Sequence, residues 1–188
     1  MTRLAILPLV ILLLTGCGGA GATSPAAGSP TREASMASST FELSSTQFAA
    51  GGVLPVDLTC DGEDRSPDLA WSGAPDGTGA LVLLVDDPDA SGFVHWIVYD
   101  MTATDSGALP LGVSTSPDAP PQGTNDFGNV GWGGPCPPSG EHRYRFTLTA
   151  LGAPLGLSGA PKAAALREAL GSASVLGSAV LEGRYRRR

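Results

Sequence analysis

A series of short apolar segments separated by glycine- and proline-rich turns constrains the fold of this chain more than any other feature. Residues 80–85 form a continuous apolar run, which is typical of a strand buried on both faces, and residues 144–151 alternate as a half-buried strand does. Several such segments predict a β-sandwich or a barrel. The 26 glycines and 16 prolines suit such a loop-rich β protein.

Other segments extend this pattern, and one departs from it. Strands are also predicted over residues 41–43, 53–59, 69–71, 94–99 and 175–185. A helix is predicted from Pro161, its first residue, to Leu170, with Gly171 closing it. Residues 102–126 lack periodicity, so they are expected to form a long surface loop.

The first seventeen residues have the features of a bacterial lipoprotein signal peptide. Arg3 supplies a positive charge, and the apolar run 4–14 is too short to span a bilayer. The run ends in Leu14-Thr15-Gly16-Cys17, which resembles a lipobox, in which the cysteine is acylated. An ordinary secretory signal with a coincidental cysteine is the alternative. Residues 1–17 therefore predict export, with a lipid on Cys17 holding the domain on the extracytoplasmic side of a bacterial membrane.

The segment after the signal peptide sets the start of the domain, and the overall charge restricts its binding partners. Residues 18–40 are mostly Gly, Ala, Ser, Thr and Pro, which predicts a flexible linker before a single domain over residues 41–188. The net charge of −7 argues against nonspecific nucleic-acid binding, which depends on basic contacts to phosphates. The one basic cluster, at residues 184–188, is expected to be a solvated end.

Two cysteines remain besides Cys17. Cys60 and Cys136 each lie in a loop rich in Gly, Pro or Asp, and export would place them in an oxidising compartment. One disulfide can then form between them. Two free thiols and a metal site are the alternatives, although neither cysteine belongs to a CxxC pair.

Most of the polar chemistry lies in two segments. The first holds Asp87 and Asp89 at the end of the buried apolar run, followed by His95. If the backbone there stays extended, both carboxylates point to one face, where they need compensating partners. The only other histidine, His142, lies in the second segment, so the two imidazoles are the natural partners.

The second segment begins with a loop that could bind an anion. Gly131, Gly133 and Gly134 offer N–H groups that no side chain shields, and neighbouring prolines stiffen the loop. His142 and Tyr144 follow it two residues apart, on one face if that stretch is extended. Together these groups predict a small polar site suited to a phosphate or a carboxylate.

Other interpretations of the same residues stay open. An Asp-Pro-Asp segment commonly forms a capped turn, and a histidine in an apolar strand, such as His95, is commonly a core residue. The carboxylates and histidines could also serve a hydrolase as acid and base, although the chain has no Gly-x-Ser-x-Gly segment to present a serine nucleophile. A metal site built from the same four side chains is a further alternative.

Four separated motifs resemble the phosphatidylethanolamine-binding protein family, in its bacterial Raf-kinase-inhibitor-like branch. In chain order they are Leu58-Thr59-Cys60-Asp61-Gly62 with Ser66-Pro67, Asp86-Asp87-Pro88-Asp89-Ala90, His95-Trp96-Ile97-Val98-Tyr99, and Gly134-Pro135-Cys136-Pro137-Pro138 through His142-Arg143-Tyr144. Asn125-Asp126-Phe127-Gly128 and Gly183-Arg184-Tyr185 also fit. The resemblance covers about residues 41–188.

This resemblance implies a mainly β protein, an antiparallel sandwich with a short peripheral helix and a small anion pocket, and neither an enzymatic activity nor a cofactor. The ligands implied are phosphate, phosphoethanolamine-like groups and carboxylates. The ligand-binding residues implied are Asp87, Asp89, His95, Gly134, Cys136, His142 and Tyr144. The two aspartates would also accept from an amine such as ethanolamine.

The resemblance implies partners as well. Because the family includes kinase and protease inhibitors, a protein-interaction module is the alternative function, and a homodimer is a further expectation.

Overall fold

The structure, a computed structural model, describes residues 40–187. The predicted signal peptide with Cys17 and nearly all of the predicted linker therefore lie outside the described residues. Among the described residues, no helix is both long and apolar enough to cross a membrane.

The described chain forms two β-sheets and one α-helix. The elements are β1 Glu42–Ser44, β2 Gly52–Val53, β3 Leu69–Ser72, β4 Ala80–Asp87, β5 Phe93–Thr102, β6 Gly107–Leu109, β7 Glu141–Leu151, α1 Ala163–Ser172 and β8 Val175–Arg186. The smaller sheet has the order β1-β3-β6, and the larger has the order β2-β8-β7-β4-β5. All pairings are antiparallel except that of β2 with β8. The predicted mainly β class is confirmed.

One core lies between the two sheets and a second lies under the helix. Trp71 and Leu109 of the smaller sheet pack with Phe146 and Leu181 of the larger sheet. On the other face, Leu166 of α1 packs against strands β4 and β5. Strand β4 is consequently covered on both sides, as its continuous apolar sequence predicts.

Several element boundaries differ from those predicted. Pro55 has no N–H for a strand ladder, and the segment 53–59 contains only the end of β2 and a 3₁₀ turn, Val56–Leu58. The helix begins after Lys162, which is its N-cap, and Gly171 lies inside its last turn. The long loop also contains β6, which pairs with β3.

The basic end of the chain continues β8 as far as Arg186, and its described arginines are exposed to solvent, as expected. Arg184 lies 3.6 Å from the carboxylate of Glu141, and Nη2 of Arg187 donates to Oδ1 of Asp61 at 2.8 Å. The hydroxyl of Tyr185 donates to the same Asp61 carboxylate at 2.8 Å. The last strand is thus fastened to the turn that carries Cys60.

Candidate anion-binding site

A cavity of about 150 Å³ lies where β4, β5 and β7 meet the proline-rich loop. Its lining residues are Asp87, Ala90, Phe93, His95, Phe127, Cys136, Pro137, Pro138, His142 and Tyr144. The structure therefore brings together most of the residues predicted for the site. Asp89 and Gly134 do not line this cavity.

Asp87 is the last residue of β4, and its buried carboxylate accepts hydrogen bonds from the following turn and from His142. Oδ1 accepts from the backbone N–H groups of Asp89 at 2.9 Å and Ala90 at 3.0 Å, which caps the 3₁₀ turn Pro88–Ala90. Oδ2 accepts from Nδ1–H of His142 at 2.7 Å. The sequence presents a capped turn and a binding site as alternatives for the Asp-Pro-Asp segment. In the structure the segment forms a capped turn, and Asp87 also lines the cavity.

Asp89 points away from the cavity, because the 3₁₀ turn breaks the extended backbone on which a shared face depended. Its carboxylate forms a two-pronged ion pair with Arg143, with Nη2–Oδ1 at 2.8 Å and Nε–Oδ2 at 3.0 Å. The side-chain hydrogen bond from Arg143 lowers the pKa of Asp89 to about 2. Both oxygens of each aspartate are already hydrogen-bonded, so the predicted amine contact has no support here.

His95 is buried in β5 and held by the backbone of Gly133. Its Nδ1–H donates to the carbonyl oxygen of Gly133 at 2.6 Å, and the N–H of Gly133 donates to the carbonyl of His95 at 2.9 Å. A carbonyl can only accept, so Nδ1 carries a proton and Nε2 is the nitrogen left for a ligand. Burial lowers the pKa of His95 although the bond to Gly133 opposes the shift.

The glycine N–H groups that the sequence offered for an anion are all used within the protein. Gly131 donates to the carbonyl of Gly123 at 3.1 Å, and Gly134 donates to Oδ1 of Asp64 at 2.6 Å. The predicted concavity of free glycine N–H groups, including Gly134, is therefore wrong. The N–H of Cys136 has no acceptor within residues 40–187, and the prolines beside it have no N–H to offer.

A disulfide fixes this loop against the turn at residues 58–62. Cys60 and Cys136 are bonded, with their Cα atoms 5.4 Å apart, so the predicted disulfide is confirmed. The glycines allow the close approach: a Cβ on Gly134 would lie 2.6 Å from the carbonyl oxygen of Leu58. Cys136 forms part of the cavity wall, so the disulfide belongs to the site.

Tyr144 is fully buried in β7 and contributes an unpaired hydroxyl. Within the described residues, this hydroxyl has no hydrogen-bond partner. Burial raises the pKa of Tyr144 far above its ordinary value, and the negative charges of Asp87 and Asp89 add to the shift. The ring lies edge-on to His95, with centroids 5.1 Å apart. A neutral hydroxyl that lacks a partner is costly to bury unless a ligand or water supplies one.

Sequence reasoning missed the aromatic side of the cavity. Phe93 and Phe127 line it, and Asn125 and Asp126 position the segment that carries Phe127. The motif at residues 125–128 was part of the resemblance, but nothing in its composition assigned it to the site. Phe93 precedes His95 by two residues, which is the only sequence signal that places it on the same face of β5.

Within residues 40–187, no group of three or more His, Cys, Asp and Glu side chains is arranged to hold a metal ion. The nearest approach to such a group is the Asp87–His142 pair, in which the carboxylate and imidazole bond directly to each other.

This fold, with a cavity between two histidines beside an Asp-Pro-Asp turn, defines a class of small binding domains. The sequence profile of the family described as phosphatidylethanolamine-binding protein matches residues 44–186. The chain belongs to this family.

Individual relatives agree with this assignment. A UPF0098 protein of Methanothermobacter thermautotrophicus is 44% identical over 153 residues, 78% of this chain and 99% of that protein. LppC of Mycobacterium tuberculosis, whose name describes a candidate lipoprotein, is 36% identical over 190 residues and covers 90% of each chain. The crystal structure of YbcL of Escherichia coli matches with a TM-score of 0.72 at 31% identity, over 79% of this chain and 99% of YbcL.

Proposed function

We propose that this protein is a membrane-anchored, non-enzymatic binding protein whose cavity holds a small anion, either a phosphate, a phosphoethanolamine-like group or a carboxylate. The observation that carries the proposal is that His142, His95 and Tyr144 line one small cavity, and each has a polar side-chain atom without a partner among the described residues. In both imidazoles the Nδ1 atom is bonded within the protein, which leaves Nε2 for the ligand.

The available groups suit an oxygen-rich anion. The Tyr144 hydroxyl is a donor, and His142 would add a second donor at Nε2 whenever its ring carries both protons, with the Asp87 carboxylate already bonded to Nδ1. Neutral His95 would donate only in its other tautomer, so it would accept a hydrogen bond from a protonated ligand oxygen instead. This division favours a ligand that carries one acidic proton, such as a hydrogen phosphate.

The lining residues favour binding over catalysis. They include no serine or threonine, and the one cysteine is part of the disulfide. The Asp87–His142 pair resembles an acid–base pair, but among the described residues the cavity lining offers it no serine, threonine or free thiol to activate. Hydrolysis of phosphate esters is consequently not expected.

Histidine NMR tests anion binding directly, because the chain has only two histidines. In a Cys17→Ser chain, free of lipid, titration with millimolar inorganic phosphate or acetate should shift both imidazole resonances. The same titration with sodium chloride, at matched ionic strength, is the control. If neither resonance moves for any anion, the proposal is wrong.

Anchoring is tested separately. The relationship to LppC and the lipobox around Cys17 support a lipid anchor. In a bacterial host, the unaltered chain should sediment with membranes, and Cys17→Ser should move it to the soluble exported fraction. Membrane association that survives this substitution would contradict lipidation of Cys17.

A further inference from the structure

The mouth of the cavity differs from its floor. Three polar side chains lie deep, on Asp87, His95 and Tyr144, which are each at most 3% exposed. The partly exposed lining residues include Cys136 and His142 and four apolar side chains, those of Ala90, Phe93, Phe127 and Pro138. Phe127 is 47% exposed although it lies beside two other rings. These four residues are called the rim below.

The exposed ring of Phe127 is held rigidly. Oδ1 of the buried Asn125 accepts from the N–H groups of Phe127 at 3.0 Å and Asn129 at 3.1 Å, and its Nδ2 donates to Gly131 at 2.9 Å. The carboxylate of Asp126 accepts from the N–H of Val94 at 2.7 Å, which fastens the segment to β5. A ring held this way loses little conformational entropy when a ligand packs on it.

The ring also takes part in an aromatic cluster with an open side. The centroid of Phe127 lies 4.8 Å from that of Phe93, at an interplanar angle of 69°, and 5.5 Å from that of His95. Gly133 lies beneath, where a Cβ would come within 2.6 Å of the Phe127 ring. One side of the Phe127 ring therefore lies against the Gly133 backbone, and its exposed part remains available to a ligand.

No lysine or arginine lines the cavity. The two arginines on the neighbouring strand β7 are committed elsewhere, Arg143 to Asp89 and Arg145 to Asp86, each through two side-chain hydrogen bonds. Contact with the rim is therefore a further source of affinity for a ligand that reaches it.

We propose that the ligand is an aryl anion, a small molecule whose phosphate or carboxylate is attached directly to an aromatic ring. The anionic group occupies the floor, and the ring packs edge-to-face or offset on Phe127 and Phe93, extending the geometry that these rings already have. A directly attached ring reaches the rim without ordering a flexible chain. This inference rests on the proposed anion site and specifies what its ligand carries.

The test compares three phosphates on the Cys17→Ser chain by following the two histidine resonances. Phenyl phosphate should bind about fivefold more tightly than ethyl phosphate or inorganic phosphate, the gain typical of one added aromatic contact. Phe127→Leu, which keeps an apolar side chain but no ring, should bring the ratio of the Kd for inorganic phosphate to the Kd for phenyl phosphate close to one. Val130→Leu is the matched control, because Val130 is 60% exposed on the same loop and does not line the cavity.

Two results separate this inference from the proposed function. Equal affinities for phenyl and inorganic phosphate, or a phenyl preference that survives in Phe127→Leu, would overturn the aryl ligand while the anion site stands. Failure of all three phosphates, together with benzoate and acetate, to shift either histidine would overturn both.

Discussion

The two histidines line the same cavity, and each is held through Nδ1, but by different kinds of acceptor. The Nδ1 of His142 donates to an ionised carboxylate on the neighbouring strand, whereas that of His95 donates to a neutral carbonyl of the proline-rich loop. A carboxylate can balance a proton on its imidazole, and a carbonyl cannot. The arrangement therefore equips one cavity with a histidine suited to carry charge and another suited to stay neutral.

The two histidines also depend on different parts of the fold. Asp87 and His142 belong to β4 and β7, neighbouring strands of the larger sheet that pair from Ala80 and Leu151 to Asp86 and Arg145, just before the two residues. The contact of His95 with Gly133 depends on a loop that the Cys60–Cys136 disulfide ties to a turn near the start of the domain. Perturbing each support should therefore affect one histidine more than the other.

Removal of the disulfide is expected to have the largest effect, and on the His95 side. The bridge spans 76 residues, so the double substitution Cys60→Ser with Cys136→Ser should lower the free energy of unfolding by about 4 kcal/mol. Urea denaturation gives this value. In the folded variant, the His95 resonance should shift and broaden more than that of His142. Equal stability of the two chains would show that the bridge adds nothing to the fold.

Replacement of Asp87 by Asn should have the next largest effect, and on the His142 side. The amide oxygen can still cap the 3₁₀ turn, but the side chain can no longer balance a proton on His142. A protonated His142 that donates to the anion lies nearer to it than the Asp87 carboxylate bonded to the other nitrogen of the ring, so its attraction exceeds the repulsion from the carboxylate. Asp87→Asn should therefore weaken phosphate binding about tenfold, the equivalent of about 1.4 kcal/mol.

Asp89→Asn is the matched control for that experiment. Asp89 lies two residues away and bonds to Arg143 outside the cavity, so its substitution should leave the phosphate Kd within about twofold, the range expected for a screened surface charge. A tenfold loss in Asp89→Asn as well would mean that a disturbed turn at residues 87–90, and not the contact with His142, explains the Asp87 result.

The contrast between Asp87 and Asp89 shows how much of the site can be predicted from the sequence. The resemblance implies that both lie in the pocket, and the apolar run 80–85 predicts β4, which ends two residues later at Asp87, because a strand buried on both faces has a continuous apolar sequence. The fate of Asp89 depended on where the chain turns: a 3₁₀ turn at Pro88 rotated it towards Arg143 on a different strand. A pairing between residues 54 positions apart leaves no local pattern to read.

The glycines of the proline-rich loop show a second limit of prediction from sequence. Their positions suggest free N–H groups, but Gly134 is needed because Asp64 and Leu58 approach its backbone closely. Glycine spacing alone cannot distinguish a loop that leaves room for a ligand from one that leaves room for the protein itself. The disulfide was more accessible to sequence reasoning, because export and an even pair of cysteines restrict the choices.

The smallest expected effect separates the histidines by pH. Burial lowers the folded-state pKa of His95, so between the ordinary value of about 6.5 and that lower value the unfolded chain binds the extra proton. Stability contributed by neutral His95 is therefore complete above pH 6.5 and declines as the pH falls through this window. His95→Asn keeps an amide that can donate to Gly133 but cannot titrate. The free energy of unfolding, measured by urea denaturation from pH 7.5 to pH 5, should fall less steeply for His95→Asn than for the unaltered chain. The His95 resonance of the unaltered chain should also begin to titrate only below pH 6.5. If the free energy of unfolding falls equally steeply with pH in both chains, His95 does not have the lowered pKa that burial implies.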